Sequence, residues 1–170
     1  MQLKNNIAGR KKKAADPVRL RLQQYAFDWF LPTTGQWLPT PEIAEALQVS
    51  RRHVLSHIFD GSFDFVIDLR APGTAQPYWR VLRPSFLRFG RRCRGEECAT
   101  PPLEADLVPA LESFPSILLA RHLAAYFRCS PVHIGHLAGE FPDIGRGPGG
   151  SASLRIPRPQ LLEFIKRRRV

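Results

Sequence analysis

"WRVLRPSFLRF" occupies Trp79–Phe89, and "LRIPRPQLLEF" occupies Leu154–Phe164. The two align without a gap. Arg80 meets Arg155, Arg83 meets Arg158, Pro84 meets Pro159, Leu87 meets Leu162, and Phe89 meets Phe164. A second match lies upstream, between "IAEALQVSRRHV" (Ile43–Val54) and "LAAYFRCSPVHI" (Leu123–Ile134). The upstream match is offset by 80 residues and the downstream one by 75, so the length change falls in an intervening loop. A chain of 170 residues that repeats itself in this way is read as two copies of one small unit.

The unit has legible physics. Thr40 suits an N-cap, Pro41 the first helical position and Glu42 the positive helix end. Ile43, Ala44 and Leu47 share one face. Val49-Ser50 makes a turn, and Ser50 caps a second helix from Arg51, with Val54, Leu55 and Ile58 inward and Gly61 at its end. Two short helices joined this tightly describe a helix-turn-helix. Phe63, Phe65, Ile67 and Leu69 then alternate with Asp64, Asp68 and Arg70, the period of a strand. "APGTAQP" is a turn, and Tyr78–Leu82 is a returning strand. Pro84 opens a last helix. The second unit has a glycine-rich hairpin, "FPDIGRGPGGSASLRIP", and ends in "RPQLLEFIKRRRV".

The chain is strongly basic, with a formal charge of +10 and a pI near 10.4. Such a charge favours a polyanion, with nucleic acid as the first expectation. No run of about 18 apolar residues offers a membrane span, and the basic N-terminus has no apolar core after it to make a secretory signal. "GEECATPPLEADLVPALES" (95–113) carries five acidic residues and no basic one, and separates two basic blocks. It reads as a linker, with "LEADLVPALESF" able to form a short helical connector. The organisation is therefore a basic arm over 1–16, an N-terminal helix and first unit over 17–94, the linker over 95–113 and a second unit over 114–170. From Pro17 to Leu31 the positions Leu22, Tyr25, Ala26, Trp29 and Phe30 mark one apolar helical face.

These units resemble the excisionase-like and MerR-type winged helix-turn-helix domains. The resemblance covers about Trp37–Arg94 and Phe114–Arg169. It is carried by "TPEIAEALQVSRRHV", a wing and "RVLRPSFLRF", and by "LRIPRPQLLEFIKRR" in the second unit. It implies a mainly α fold with small β-hairpins (α+β), namely two tandem winged helix-turn-helix domains after an N-terminal helix. It also implies double-stranded DNA as partner, with the second helix in the major groove and the wing on the backbone. The function so implied is transcriptional regulation, or an accessory role in phage or plasmid DNA recombination, replication or partition. The setting would be cytoplasmic and nucleoid-associated. The first wing departs from the pattern through Asp64 and Asp68, and Pro131-Val132 stand where the first unit has Arg51-Arg52.

The second helix of such a motif meets base edges by its N-terminal residues. That assigns base contact to Arg51, Arg52, Ser56 and His57, with His133 and His136 as second-unit equivalents. Backbone contact falls to Arg10, Lys11, Lys12 and Lys13 in the arm, to Arg80, Arg83, Arg146, Arg155 and Arg158, and to Lys166, Arg167, Arg168 and Arg169 at the end. Each has a plainer reading. Arg80 and Arg155 would equally serve as structural side chains that set the wing angle. His53 and His133 suit packing or capping, and the arm and tail suit solvated termini.

No catalytic constellation is present: "GxxxxGK[ST]" and "GxSxG" are missing, and "HVLSH" lacks the glutamate of "HExxH". Cys93, Cys98 and Cys129 form neither a disulfide framework nor a complete metal motif, so no enzyme, metal or cofactor is expected. Two readings rival DNA binding. One is a protein-interaction scaffold working through the second unit, which presents Pro131, Val132 and Gly135. The other is RNA binding, although no aromatic stacking platform supports it. Association of several copies along DNA is a further expectation.

Overall fold

The computed structural model describes residues 36–142, 145–146 and 154–170, the side chain of Arg146 excepted. The basic arm, the helix read over Pro17–Leu31 and most of the second hairpin lie outside these residues. The described residues form a mixed α+β structure of seven helices and two three-stranded antiparallel sheets. The order of elements occurs twice. The first repeat runs β1 (Trp37–Pro39), α1 (Thr40–Leu47), α2 (Arg51–Phe59), β2 (Val66–Asp68), β3 (Trp79–Leu82) and α3 (Arg83–Cys93). After α4 (Leu103–Glu112), the second runs β4 (Ile117–Leu119), α5 (Ala120–Phe127), α6 (Pro131–Leu137), β5 (Gly145–Arg146), β6 (Leu154–Pro157) and α7 (Arg158–Arg168). Sheet orders match, β1-β3-β2 and β4-β6-β5. Registers match too: Arg80 faces Pro39 and Ile67, and Arg155 faces Leu119 and Gly145.

Local chemistry explains the tight corner in each repeat. Gln48 and Arg128 close α1 and α5 in the left-handed region, at φ 50° and 55°. Their N–H groups, with those of Val49 and Cys129, cover helix-end carbonyls. Ser50 and Ser130 then cap α2 and α6 by accepting from the N–H of His53 and His133. Thr40, expected as an N-cap, is instead the first residue of α1 and is buried; Pro39 holds the cap position. Among the described residues, no helix is long and apolar enough to cross a membrane.

Two findings differ from the sequence reading. Within 95–113, read as a linker able to form a short helical connector, Leu103–Glu112 is helix α4, and the difference is that its Leu103, Leu107 and Leu111 are buried. Their spacing of four residues places them on one face, which joins the core of the second repeat. The alternating stretch Phe63–Leu69 yields a strand only at Val66–Asp68, where all three residues are buried. Its polar members do not face solvent. Asp64 binds Arg88 at 2.6 Å and Arg92 at 2.7 Å, and Asp68 accepts from the N–H of Arg70 and Tyr78.

The core runs through both repeats. On the inner face of the first sheet, Leu38, Val66, Trp79 and Val81 pack on α1, α2 and α3. On its outer face, Trp37, Ile67 and Leu82 belong to the core of the second repeat. The Trp37 ring lies 6.4 Å from Tyr126 and 6.0 Å from Phe127. Arg80, 3% exposed, crosses the seam: Nε donates to Phe127 O at 2.7 Å and Nη2 to Arg128 O at 2.8 Å, while Nη1 holds Trp79 O at 2.9 Å. Arg128 pairs with Glu42. His133 Nε2 donates to Leu69 O at 2.7 Å. The chain end continues the first sheet at its β2 edge, where Arg169 bridges Ile67 and Val170 N donates to Val66 O.

A shared core of this kind predicts that the repeats unfold together in one transition. Arg80→Met keeps the apolar stem and removes every donor, leaving buried carbonyls at Phe127 and Arg128. A loss of about 3 kcal/mol in unfolding free energy is expected, from about 1–3 kcal/mol for each orphaned group. Urea denaturation followed by tryptophan fluorescence and circular dichroism measures it.

Candidate nucleic-acid interface

Between the repeats lies a cleft of about 560 Å³. Its floor is Tyr78 with Trp79 and Arg80 at the start of β3. One wall is the start of α1 with the first turn of α2, and the other is the hairpin loop after Arg70. Arg51, Arg70, Arg128, His133 and His136 border it, together with Arg80, and no acidic residue lines it. Arg80 and His133 serve the seam, as does Arg128 in part. Arg70 keeps a side chain 45% exposed beside Asp68 at 3.4 Å. Arg51 and His136 are exposed and belong to α2 of the first repeat and α6 of the second. The cleft therefore joins the helices that the sequence assigns to base contact.

The first turn of α2 presents Arg51, Arg52 and His53 to solvent. His53 Nδ1 lies 3.0 Å from the Ser50 hydroxyl, and the Ser56 hydroxyl donates to His53 O at 2.8 Å, so Ser56 offers mainly its acceptor lone pairs. His57 does not belong to this surface. It is 5% exposed, 3.1 Å from the Ser62 hydroxyl, and packed on Phe89 at 5.1 Å between ring centres. Val54, His57 and Ile58 lie at i, i+3 and i+4, the spacing of one inward face. That signal was already in the sequence. In α6, Pro131 and Val132 are exposed, with Val132 at 64%. His133 turns into the seam, 4.6 Å from the Tyr78 ring centre.

Several arginines assigned to a nucleic-acid backbone work inside the protein. Arg80 is withdrawn by burial, as described. Arg168 pairs with Glu140 and donates to Asp68 O and Arg70 O; burial pulls its pKa down, opposed by the charge of Asp68. Arg167 donates to Glu140 O at 2.6 Å, and Arg169 to Asp64 O at 3.3 Å with its guanidinium over the Phe65 ring. Lys166 bonds Glu104 at 3.0 Å and Glu163 at 3.3 Å, which raises its pKa. Arg158 holds Glu112 O and Phe114 O, tying α7 to the end of α4. Arg83 is half-buried in the first turn of α3, and Arg155 is exposed on the second sheet, apart from the cleft. Arg146 lies in β5, and its side chain, like Arg10–Lys13, is outside the described residues.

Arg70 and Arg128 are the cleft residues that sequence reasoning missed. Arg70 sits where a strand gives way to a turn, a weak signal. Arg128 carries none, because its place depends on how the repeats dock. Among the described residues no group of three or more His, Cys, Asp or Glu side chains is placed to hold a metal. Cys129 packs against the core, and burial pushes its thiol up to about 11. No family model, curated protein or solved structure matches this chain.

The placement of the two histidines predicts opposite behaviour. His57→Ala is expected to cost about 2 kcal/mol of stability, since it empties a buried site packed on Phe63 and Phe89 and leaves the Ser62 hydroxyl with Asp60 alone. His136→Ala should leave thermal unfolding unchanged and, by removing an exposed imidazole donor from the cleft, elute earlier from immobilised heparin. Calorimetry and salt-gradient elution on the same samples check both.

Proposed function

We infer that this chain is a sequence-specific double-stranded-DNA-binding protein. It would act without catalysis, as a transcriptional regulator or as an architectural factor in phage or plasmid DNA recombination, replication or partition. The observation that carries the reading is the basic first turn of α2, exposed and opening onto a cleft with no acidic lining. Supporting it, each repeat sets a Ser-capped second helix beside a small antiparallel sheet, the ordering expected of a winged helix-turn-helix. In this reading α2 enters the major groove. Arg52, with Arg51, grips guanine edges through paired donors. Arg51, Arg70, Arg128 and His136 also hold the phosphates bordering the groove. The setting is cytoplasmic, on the nucleoid.

The repeats then have unequal roles. Arg51 and Arg52 give the first a way to select a sequence, whereas Pro131 and the exposed Val132 give α6 apolar contact only. Val132 also favours a second reading, in which α6 docks a protein partner and the chain serves as a scaffold.

Salt titration of binding to random duplex, single-stranded DNA and RNA tests the main reading. If about six phosphates are neutralised, log K for duplex should fall against log salt with a slope of about −5. A preference for RNA, or no duplex binding at low salt, refutes it. With a selected site in hand, Arg52→Ala should lower the ratio of specific to random binding about tenfold, from about 1–3 kcal/mol for a bidentate base contact. Arg70→Ala should weaken both bindings alike and make the slope shallower by about one.

A further inference from the structure

The repeats meet through different elements. The first offers the outer face of its sheet; the second offers the α5–α6 corner and the end of α7. A contact of this head-to-tail kind uses a different surface on each side, so repeating it gives a row, or a ring where the rotation closes. Each half of the seam therefore has a counterpart at the opposite end of the molecule.

The counterpart of the covered face is the outer face of the β4-β6-β5 sheet. Equivalent registers place Ile117 where the first repeat has Trp37, and Arg155 where it has Arg80. Trp37 is 0% exposed and Ile117 is 45% exposed; Arg80 is buried and Arg155 is exposed, lying over Gly145. Ile117 is one of the few large apolar side chains exposed among the described residues. The counterpart of the covering corner is the α1–α2 turn. Its Gln48 has the backbone shape of Arg128, at φ 50° against 55°. Its His53 is exposed where His133 reaches Leu69 O.

We propose that a second copy of this chain docks its α1–α2 corner on the outer face of the β4-β6-β5 sheet. Ile117 takes the place of Trp37, and Arg155 donates to the Leu47 and Gln48 carbonyls as Arg80 does to those of Phe127 and Arg128. Repetition of the contact builds a head-to-tail row, or a ring where the rotation closes. The contact is weaker than the internal seam, because Ile117 replaces an indole and Ala46 stands where Tyr126 supplies a ring. It does not depend on DNA binding and is tested without nucleic acid.

Sedimentation equilibrium of the full chain, over a wide concentration range, should show a weight-average mass rising from one chain towards two and beyond. Ile117→Asp and Ala46→Glu should each stay monomeric at every concentration, and Arg155→Glu should behave as Ile117→Asp does. Their thermal unfolding should match that of the unsubstituted chain. An equimolar mixture of Ile117→Asp and Ala46→Glu keeps one intact face and one intact corner, so it should form dimers and nothing larger. The proposal is overturned if the unsubstituted chain stays monomeric throughout. It is also overturned if Ile117→Asp and Arg155→Glu associate as the unsubstituted chain does, or if the mixture yields no dimer, as a symmetric contact would require.

Discussion

The guanidinium of Arg80 is buried between two repeats, and the arrangement of the whole molecule follows from how it is satisfied. A left-handed residue ends α5 at Arg128, and such an end leaves carbonyls that the helix itself cannot bond. Two of them, on Phe127 and Arg128, face Arg80 Nε and Nη2. The Tyr78 ring lies against the charge at 4.1 Å. A guanidinium keeps its charge in nearly any surroundings and presents fixed, planar donors, so it tolerates burial where a lysine would not. Because Arg80 lies in the central strand of its sheet, this contact sets the second repeat against the first. It thereby fixes the cleft in which Arg51 and Arg70 of one repeat face Arg128 and His136 of the other.

The same letter at equivalent positions has two fates. Arg80 and Arg155 occupy one register, yet one is a core residue and the other is on the surface. The difference lies in their neighbours. Trp37, Ile67 and Leu82 make the first outer face an apolar surface that must be covered. Ile117, Gly145 and Pro157 make the second a smaller and more open one. Duplication thus supplied one architecture, and side-chain volume on one sheet face separated an internal seam from an open end.

The basic charge is divided between adhesion and display. Arg88 spans Asp64 and Asp106, Arg168 pairs with Glu140 and holds carbonyls of the first repeat, and Arg158 closes a loop. These cations are held by the fold. Arg51 and Arg70 at the cleft, and Arg52 beside them on the first turn of α2, remain presented to solvent. A net charge counts both groups equally, but a cation bonded within the fold must give up those bonds before it can meet any outside partner.

Sequence alone determined the local parts: the paired helices, their serine caps, the proline-started last helices and the twofold repetition. Each depends on a few neighbouring residues, whose periodicity and turn chemistry act over the span of a helix or hairpin. The inward turn of His57 was legible in the same way, from its spacing to Val54 and Ile58. Tertiary structure alone decided which arginines are buried, why Asp64 and Asp68 lie under cover, and that Leu103–Glu112 is part of the core rather than a tether. It also decided that Arg70 and Arg128 border one cleft. Those outcomes depend on packing between residues 24 to 100 positions apart, and a side chain's local pattern carries no record of what will be packed against it.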